Sequence, residues 1–401
     1  MEASGVHDNE AFEAEGLMGD KEAQRNYSSI SIKEEAWQVR LSQFRGKKMG
    51  SKIKTFKSRK IRSFYKAQDS LIEAYEDVTR RIRGDQAADT EVNDRQRQRA
   101  MRYSQVTFFI NFLLMAAKVV ASVLSGSLSI ISSLIDSVVD LLSGIIMWWA
   151  ARTIQKRNHY DYPQGRTKLE PVSIIILSVV MAIASIEFAR ESVTKIIELV
   201  DDPTALPTVE IPVFVITGST VVVKFILWLV CRRVNSNIVQ ALALDHRNDV
   251  LSNLVAIICG YLGSKEFQAK YGLHGFIYVD PGGAILISLY IVVNWCIMGR
   301  DQVKLLTGHR AEPEFLSKVL WVALNHDPDI REIDTVRAFH FGNDFLVDVD
   351  IVLPRDMTVE TAHDIAEGLQ RKLERLDEVE RAYVHIDYES QHSSASEHKV
   401  V

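Results

Sequence analysis

Residues 126–144 read GSLSIISSLIDSVVDLLSG. Apart from Asp136 and Asp140, every residue in this stretch is small or apolar. A spacing of four places both carboxylates on one helical face, one turn apart. The pattern recurs further along, where ALALDHRNDVLSN (residues 241–253) carries Asp245 and Asp249 at the same spacing. A charge near the middle of a bilayer costs roughly 2.5–3.5 kcal/mol on insertion scales. Four such charges are tolerable only if they meet around a cation, so the two pairs point to an intramembrane metal or proton site.

The rest of the chain supports a membrane reading. Its 401 residues have a net charge of −5, which says little about partners, but the 47% hydrophobic fraction is unevenly spread. Residues 1–100 are polar, residues 101–300 hold nearly all the long apolar runs, and residues 301–401 are polar again. Three scattered cysteines, Cys231, Cys259 and Cys296, form no disulfide framework and no CxxC zinc pattern. The acidic N-terminus has no apolar signal segment, so it is expected to stay in the cytosol.

Crossing a bilayer takes about 20 residues. Six stretches qualify: Ser104–Leu124, Ser127–Ala150, Pro171–Ser192, Ile211–Cys231, Val239–Gly263 and Val279–Met298. The fifth is interrupted by Asp245, His246, Arg247 and Asp249, yet runs directly into apolar Val250–Tyr261, so a single helix is the simpler reading. Arg152, Lys156, Arg157, Arg166 and Lys168 follow the second span and Arg232 and Arg233 the fourth, whereas Glu198, Asp201, Asp202 and Glu210 lie between the third and fourth. The positive-inside rule then puts the basic loops and both termini in the cytosol.

Four segments are expected: a polar, partly disordered region (1–100), a six-helix membrane domain (101–300), a cytosolic domain (301–390) and a tail (391–401). Within the first, residues 45–66 form a basic run, from Arg45, Lys47 and Lys48 to Arg62 and Lys66, without an acid. It is either a solvated charge run or a grip on anionic membrane lipid; nucleic acid is not expected, because no binding motif accompanies it. Residues 69–83 read as an amphipathic helix. In the third segment the periods alternate to give αββαβ, a ferredoxin-like α+β arrangement with helices on one face of a sheet. Its first helix is expected to turn Phe315, Val319, Leu320 and Leu324 inward, its second strand Phe345, Val347, Val349 and Ile351, and its hairpin to turn after Gly342.

Carboxylate oxygens are hard ligands suited to Mg, Ca and Mn(II), whereas imidazole and thiolate draw zinc and copper. Four carboxylates at one point repel each other unless protons or a metal ion neutralise them. Metal entry therefore expels protons and protons expel metal, which is the physical basis of antiport. His246 and Arg247 lie about 100° and 200° round the helix from Asp245 and are not expected on its face. Asn111 and Asn253 are expected to make interhelical hydrogen bonds, and Lys118, Glu187 and Lys224 to pair internally or snorkel. Asp280 is expected to shape the start of the last span.

These residues resemble the cation diffusion facilitators, in particular the manganese-type branch and the plant metal tolerance proteins within it. The resemblance rests on GSLSIISSLIDSVVDLLSG, YPQGRTKLEP (162–171), DHRNDVLSN (245–253), IDTVRAFHFGNDFLVDVDIVLP (333–354) and HIDYE (385–389). It implies a homodimeric proton-coupled exporter whose metal site is Asp136, Asp140, Asp245 and Asp249, with aspartate where zinc-type relatives carry histidine. Export of Mn(II) from the cytosol into the vacuole is implied, with Golgi or prevacuolar membranes as the alternative. No resident cofactor and no enzyme activity are implied. Regulatory-metal positions of zinc-type relatives fall on Asp334, Asp350, His363, His385 and Asp387, where solvated acids and structural histidines are the plainer reading.

Three rivals remain at the level of sequence. The same carboxylates suit Fe(II), or a broader divalent cargo, at least as well on affinity grounds. An intramembrane aspartyl protease also buries two aspartates, but takes one from each of two helices and carries a GxGD-type signature absent here. A membrane metal sensor would bind without flux.

Overall fold

Helical periodicity dominates the middle of the chain, and in the computed structural model it becomes a bundle of long helices. The structure describes residues 47–389 except 57, 84–85, 126–127, 156–159, 164, 202–210, 235, 266 and 268–273, together with Val39, Leu41 and Phe44. Helix α1 spans Arg59–Arg83. It is followed by α2 (Gln86–Ser125), α3 (Leu128–Ile154), α4 (Leu169–Asp201), α5 (Ile211–Cys231), α6 (Asn237–Leu262) and α7 (Val279–Leu306). Even α5, with 21 residues, is about 30 Å long, the thickness of a bilayer's hydrocarbon core.

Five of these helices, α2 to α5 and α7, are long and apolar enough to cross a membrane. The exception is α6, whose third turn begins the charged DHRND segment. Its packing supplies what its composition lacks, because α6 touches α2, α3, α4, α5 and α7. Asp245, His246 and Asn248 are buried on it. The charged turn is thus enclosed by neighbouring helices, whereas the residues α6 exposes include Leu254, Ile258 and Tyr261, so no polar turn faces lipid and the six-span architecture stands. Apolar packing closes around it: Met147 of α3, Ile174 and Leu177 of α4, Leu242 of α6 and Trp295 of α7 share one buried cluster. Ala100, Cys231, Val239 and Ala243 close α2, α5 and α6 into another. Small residues let the helices approach: a Cβ on Gly283 of α7 would lie 2.6 Å from the Cys259 sulfur of α6.

The cytosolic domain runs α8 (Pro313–Leu324), β1 (Glu332–Phe341), β2 (Asp344–Val352), α9 (Val359–Leu373) and β3 (Val379–Asp387), in the sheet order β1-β2-β3. The turn between β1 and β2 is Gly342-Asn343, with Gly342 at φ +82°, where a side chain would be strained. A two-residue turn makes that pair antiparallel, while α9 carries the chain over to a parallel β2–β3 pair. Val347, Val349 and Ile351 are fully buried, with Phe345 packed against them. Thr358 caps α9 by accepting a hydrogen bond from the Thr361 N–H.

Two features depart from the sequence expectation. On α8 the buried residues are Phe315, Val319, Trp321, Val322 and Ala323, while Leu320 and Leu324 are exposed. Trp321 takes the core because the N-terminal region covers it: Tyr75 of α1 stacks on its ring at 4.6 Å and Phe44 meets it edge-on at 5.6 Å. The Trp321 indole N–H donates to Thr79 Oγ1 at 3.3 Å. The amphipathic helix also begins earlier than expected, at Arg59. Just before it, a short turn of helix at Gly50–Thr55 is held by the Asp69 carboxylate, which accepts from the backbone N–H groups of Met49 (2.9 Å) and Gly50 (2.7 Å).

Candidate metal centre

Asp140 of α3 and Asp249 of α6 are brought together inside the bundle by a third residue, Lys224 of α5. The lysine side chain is 1% exposed, and its ammonium lies 2.8 Å from Asp140 Oδ2 and 2.7 Å from Asp249 Oδ2. One carboxylate from each sequence pair therefore reaches the same point. Lys224 pairs internally, one of the two expected outcomes, and its partners are the candidate ligands themselves.

Asp245, one turn before Asp249, is fully buried. The Ser143 hydroxyl lies 3.0 Å from Asp245 Oδ2 and 2.8 Å from the Asp140 carbonyl oxygen, with one proton to donate between them. Asp136 lies one turn before Asp140 on α3 and is exposed. Asn111 of α2 donates to the Asp140 carbonyl at 3.1 Å, an interhelical bond as expected. Asn253 instead donates to the Asp249 carbonyl within its own helix, at 2.7 Å. Asp280, at the start of α7, pairs with Lys195 of α4 at 2.6 Å.

His246 overturns an expectation. Asp245, His246 and Asp249 each offer a ligand atom, and these atoms lie within 4.8 Å of one another. Neither imidazole nitrogen of His246 has a hydrogen-bond partner among the described residues, although the residue is fully buried. The helical-wheel angle separates His246 from Asp245 on an isolated helix. The angle does not, however, keep the side chains of adjacent residues out of reach of one another, and the buried imidazole comes within ligand range of both aspartates. Arg247 behaves as expected: it points to α7, donating to Asn294 Oδ1 at 3.1 Å. The one signal that could have identified His246 was its position between two buried aspartates.

In the cytosolic domain, Asp350 of β2 and His385 of β3 are register partners. His385 Nδ1 lies 3.7 Å from Asp350 Oδ1 and 3.4 Å from Asp387 Oδ2. Asp334 is engaged elsewhere, accepting a hydrogen bond from Thr335, and His363 on α9 lies beside Glu367. The five positions are therefore split, with three together and two apart.

Most of this bundle lies in a segment with known counterparts. Residues 104–307 match the description "Cation efflux transmembrane domain". The chain belongs to the cation efflux family. A second match, "Cation efflux protein, cytoplasmic domain", covers residues 311–389. The chain is 40% identical over 351 residues to metal tolerance protein 7 of Oryza sativa subsp. japonica, covering 86% of each chain. It is 40% identical over 293 residues to metal tolerance protein 11 of Arabidopsis thaliana, covering 73% of this chain and 71% of that protein. To metal tolerance protein 10 of Arabidopsis thaliana it is 37% identical over 347 residues, covering 86% and 78%. As a cation efflux protein it is a membrane transporter of divalent metal ions and not an enzyme, which removes the aspartyl-protease reading.

Proposed function

We propose that this cation efflux protein exchanges Mn(II) for protons, with the metal bound by Asp136, Asp140, Asp245 and Asp249. The observation that carries the reading is the convergence of Asp140 and Asp249, from separate helices, on a single buried point, with Asp245 one turn away. Hard oxygen donors in that number suit Mn(II). Like charges so close must be neutralised by a cation, which sets metal and protons in competition for the same oxygens. The basic loops, by the positive-inside rule, support cytosolic termini, and the proposed direction of transport is out of the cytosol. The vacuolar membrane is the proposed location, and a fluorescent fusion imaged beside a vacuolar marker tests it.

The domain boundaries proposed from sequence, at residues 100, 300 and 390, belong to this reading. So does a homodimer formed through the cytosolic domain, whose outward sheet face carries Phe339 and Tyr383 exposed. The basic run keeps most of its charges in solvent, with Lys47, Lys52, Lys54, Lys60, Arg62 and Lys66 exposed, which suits contact with anionic lipid.

His246 favours a second reading, Fe(II), because an imidazole among carboxylates suits iron better than magnesium or calcium. Both are tested in proton-loaded proteoliposomes offered Mn(II), Fe(II), Zn(II), Co(II), Mg(II) or Ca(II). Proton efflux driven by Mn(II), with or without Fe(II), is expected; efflux driven by Zn(II) alone would overturn the reading.

A further inference from the structure

Lys224 is a buried cation that bridges both aspartate pairs, and nothing in the antiport chemistry so far requires it. Its ammonium bridges Asp140 Oδ2 and Asp249 Oδ2 at 2.8 and 2.7 Å. These are the oxygens that would have to close on an ion shared between α3 and α6. A first-row divalent ion sits about 2.0–2.2 Å from carboxylate oxygens, so an ion bound by both would fill the volume that Nζ fills. A divalent charge and an ammonium also repel strongly at such range in a low-dielectric interior. The metal and the bridging lysine are therefore alternative occupants.

We propose that Lys224 is a tethered cation that competes with the transported metal for Asp140 and Asp249, and thereby sets the site's affinity and its preference for divalent over monovalent ions. The inference rests on the transport reading above. A lysine suits the role because its ammonium is a compact charge on a flexible four-carbon stem. It can bridge two helices and then turn aside, which a planar guanidinium held in a fork does less readily. Displacing one positive charge with another gains nothing for sodium or potassium, whereas a divalent ion brings the additional charge that wins the exchange. The same tether holds the two helices together when no ion bridges them, and returns to the oxygens as the ion leaves, favouring release.

The test compares native chain, Lys224→Met, Lys224→Gln and Lys224→Arg in proteoliposomes, reading Mn(II)-driven proton flux against Mn(II) concentration with and without excess KCl or NaCl. The neutral variants are expected to lower the apparent KM about tenfold, since a directly competing cation is removed, and to slow turnover at saturating metal. Their flux should become inhibited by monovalent salt beyond the native response, while Lys224→Arg should restore native salt resistance. An unchanged or raised KM together with native salt response in both neutral variants would overturn the proposal. If the neutral variants fold only when Mn(II) is present throughout purification, the metal is replacing the lysine and the proposal stands. If Mn(II) does not rescue them, it falls. Asp249→Asn, run alongside, separates the two levels: flux as in the native chain would refute the transport reading itself.

Discussion

Ser143 of α3 and Asp245 of α6 meet at 3.0 Å inside the bundle, so the second aspartate pair is positioned partly by the helix that carries the first. The hydroxyl leaves one Asp245 oxygen, Oδ1, with no hydrogen-bond partner among the described residues, and that oxygen is the one available to an ion. Ser143→Ala should therefore loosen the carboxylate without removing a ligand. A lost hydrogen bond to a charged group is worth roughly 1.5–3 kcal/mol. The apparent KM for Mn(II) should rise by about one order of magnitude or more while flux at saturating metal persists, as a titration of vesicle flux against metal would show.

The contact of Tyr75 with Trp321 makes the N-terminal helix part of the cytosolic domain's core. Trp321→Ala should destabilise that domain by about 3–5 kcal/mol, the usual cost of truncating a buried tryptophan. Tyr75→Ala should release α1 at a smaller cost. Limited proteolysis would detect the release as cleavage within Arg59–Arg83 in either variant, with the native chain protected.

His326 gives the same domain a dependence on pH. Burial lowers its pKa to about 4, with Lys372 adding to the effect, and the imidazole Nε2 lies 2.8 Å from the Ile365 carbonyl oxygen. Because the folded value lies below the unfolded one near 6.5, the unfolded chain binds the extra proton first. Stability is therefore complete above about pH 6.5 and declines as pH falls toward 4, by roughly 3 kcal/mol in all. Denaturant midpoints followed by tryptophan fluorescence should fall over that window, and His326→Gln should flatten this component.

Gly283 of α7 leaves no room for a side chain against α6. Gly283→Ala would set a methyl group 2.6 Å from the Cys259 sulfur and 3.3 Å from Val255 Cγ1. Overpacking of this kind typically costs about 1–3 kcal/mol, and since α6 carries Asp245 and Asp249, flux should fall with stability. Gly283→Ala combined with Cys259→Ala should recover both, in thermal-shift and flux measurements alike.

Much of this was legible in the chain because the signals are local. The aspartate pairs declare themselves by spacing within apolar runs, the cytosolic strands by alternation, and the hairpin by Gly342. What could not be read depends on which helices meet. Lys224 looks like any polar residue in a span until α5 brings it between Asp140 and Asp249. His246 was misjudged because a helical wheel separates neighbouring residues by angle alone, whereas the buried imidazole still comes within ligand range of Asp245 and Asp249. Leu320 and Leu324 fit an inward pattern, yet Trp321 displaced them because Phe44 and Tyr75, more than two hundred residues earlier in the chain, cover it.

The central claim is that the carboxylates converging on one point bind the transported ion and exchange it for protons. Mn(II)-driven proton flux across vesicles holding the native chain, Asp140→Asn or Asp249→Asn tests it most directly. The account predicts robust flux for the native chain and near-complete loss in each variant, with all three inserted and folded alike. Equal flux in the native chain and both variants would contradict it.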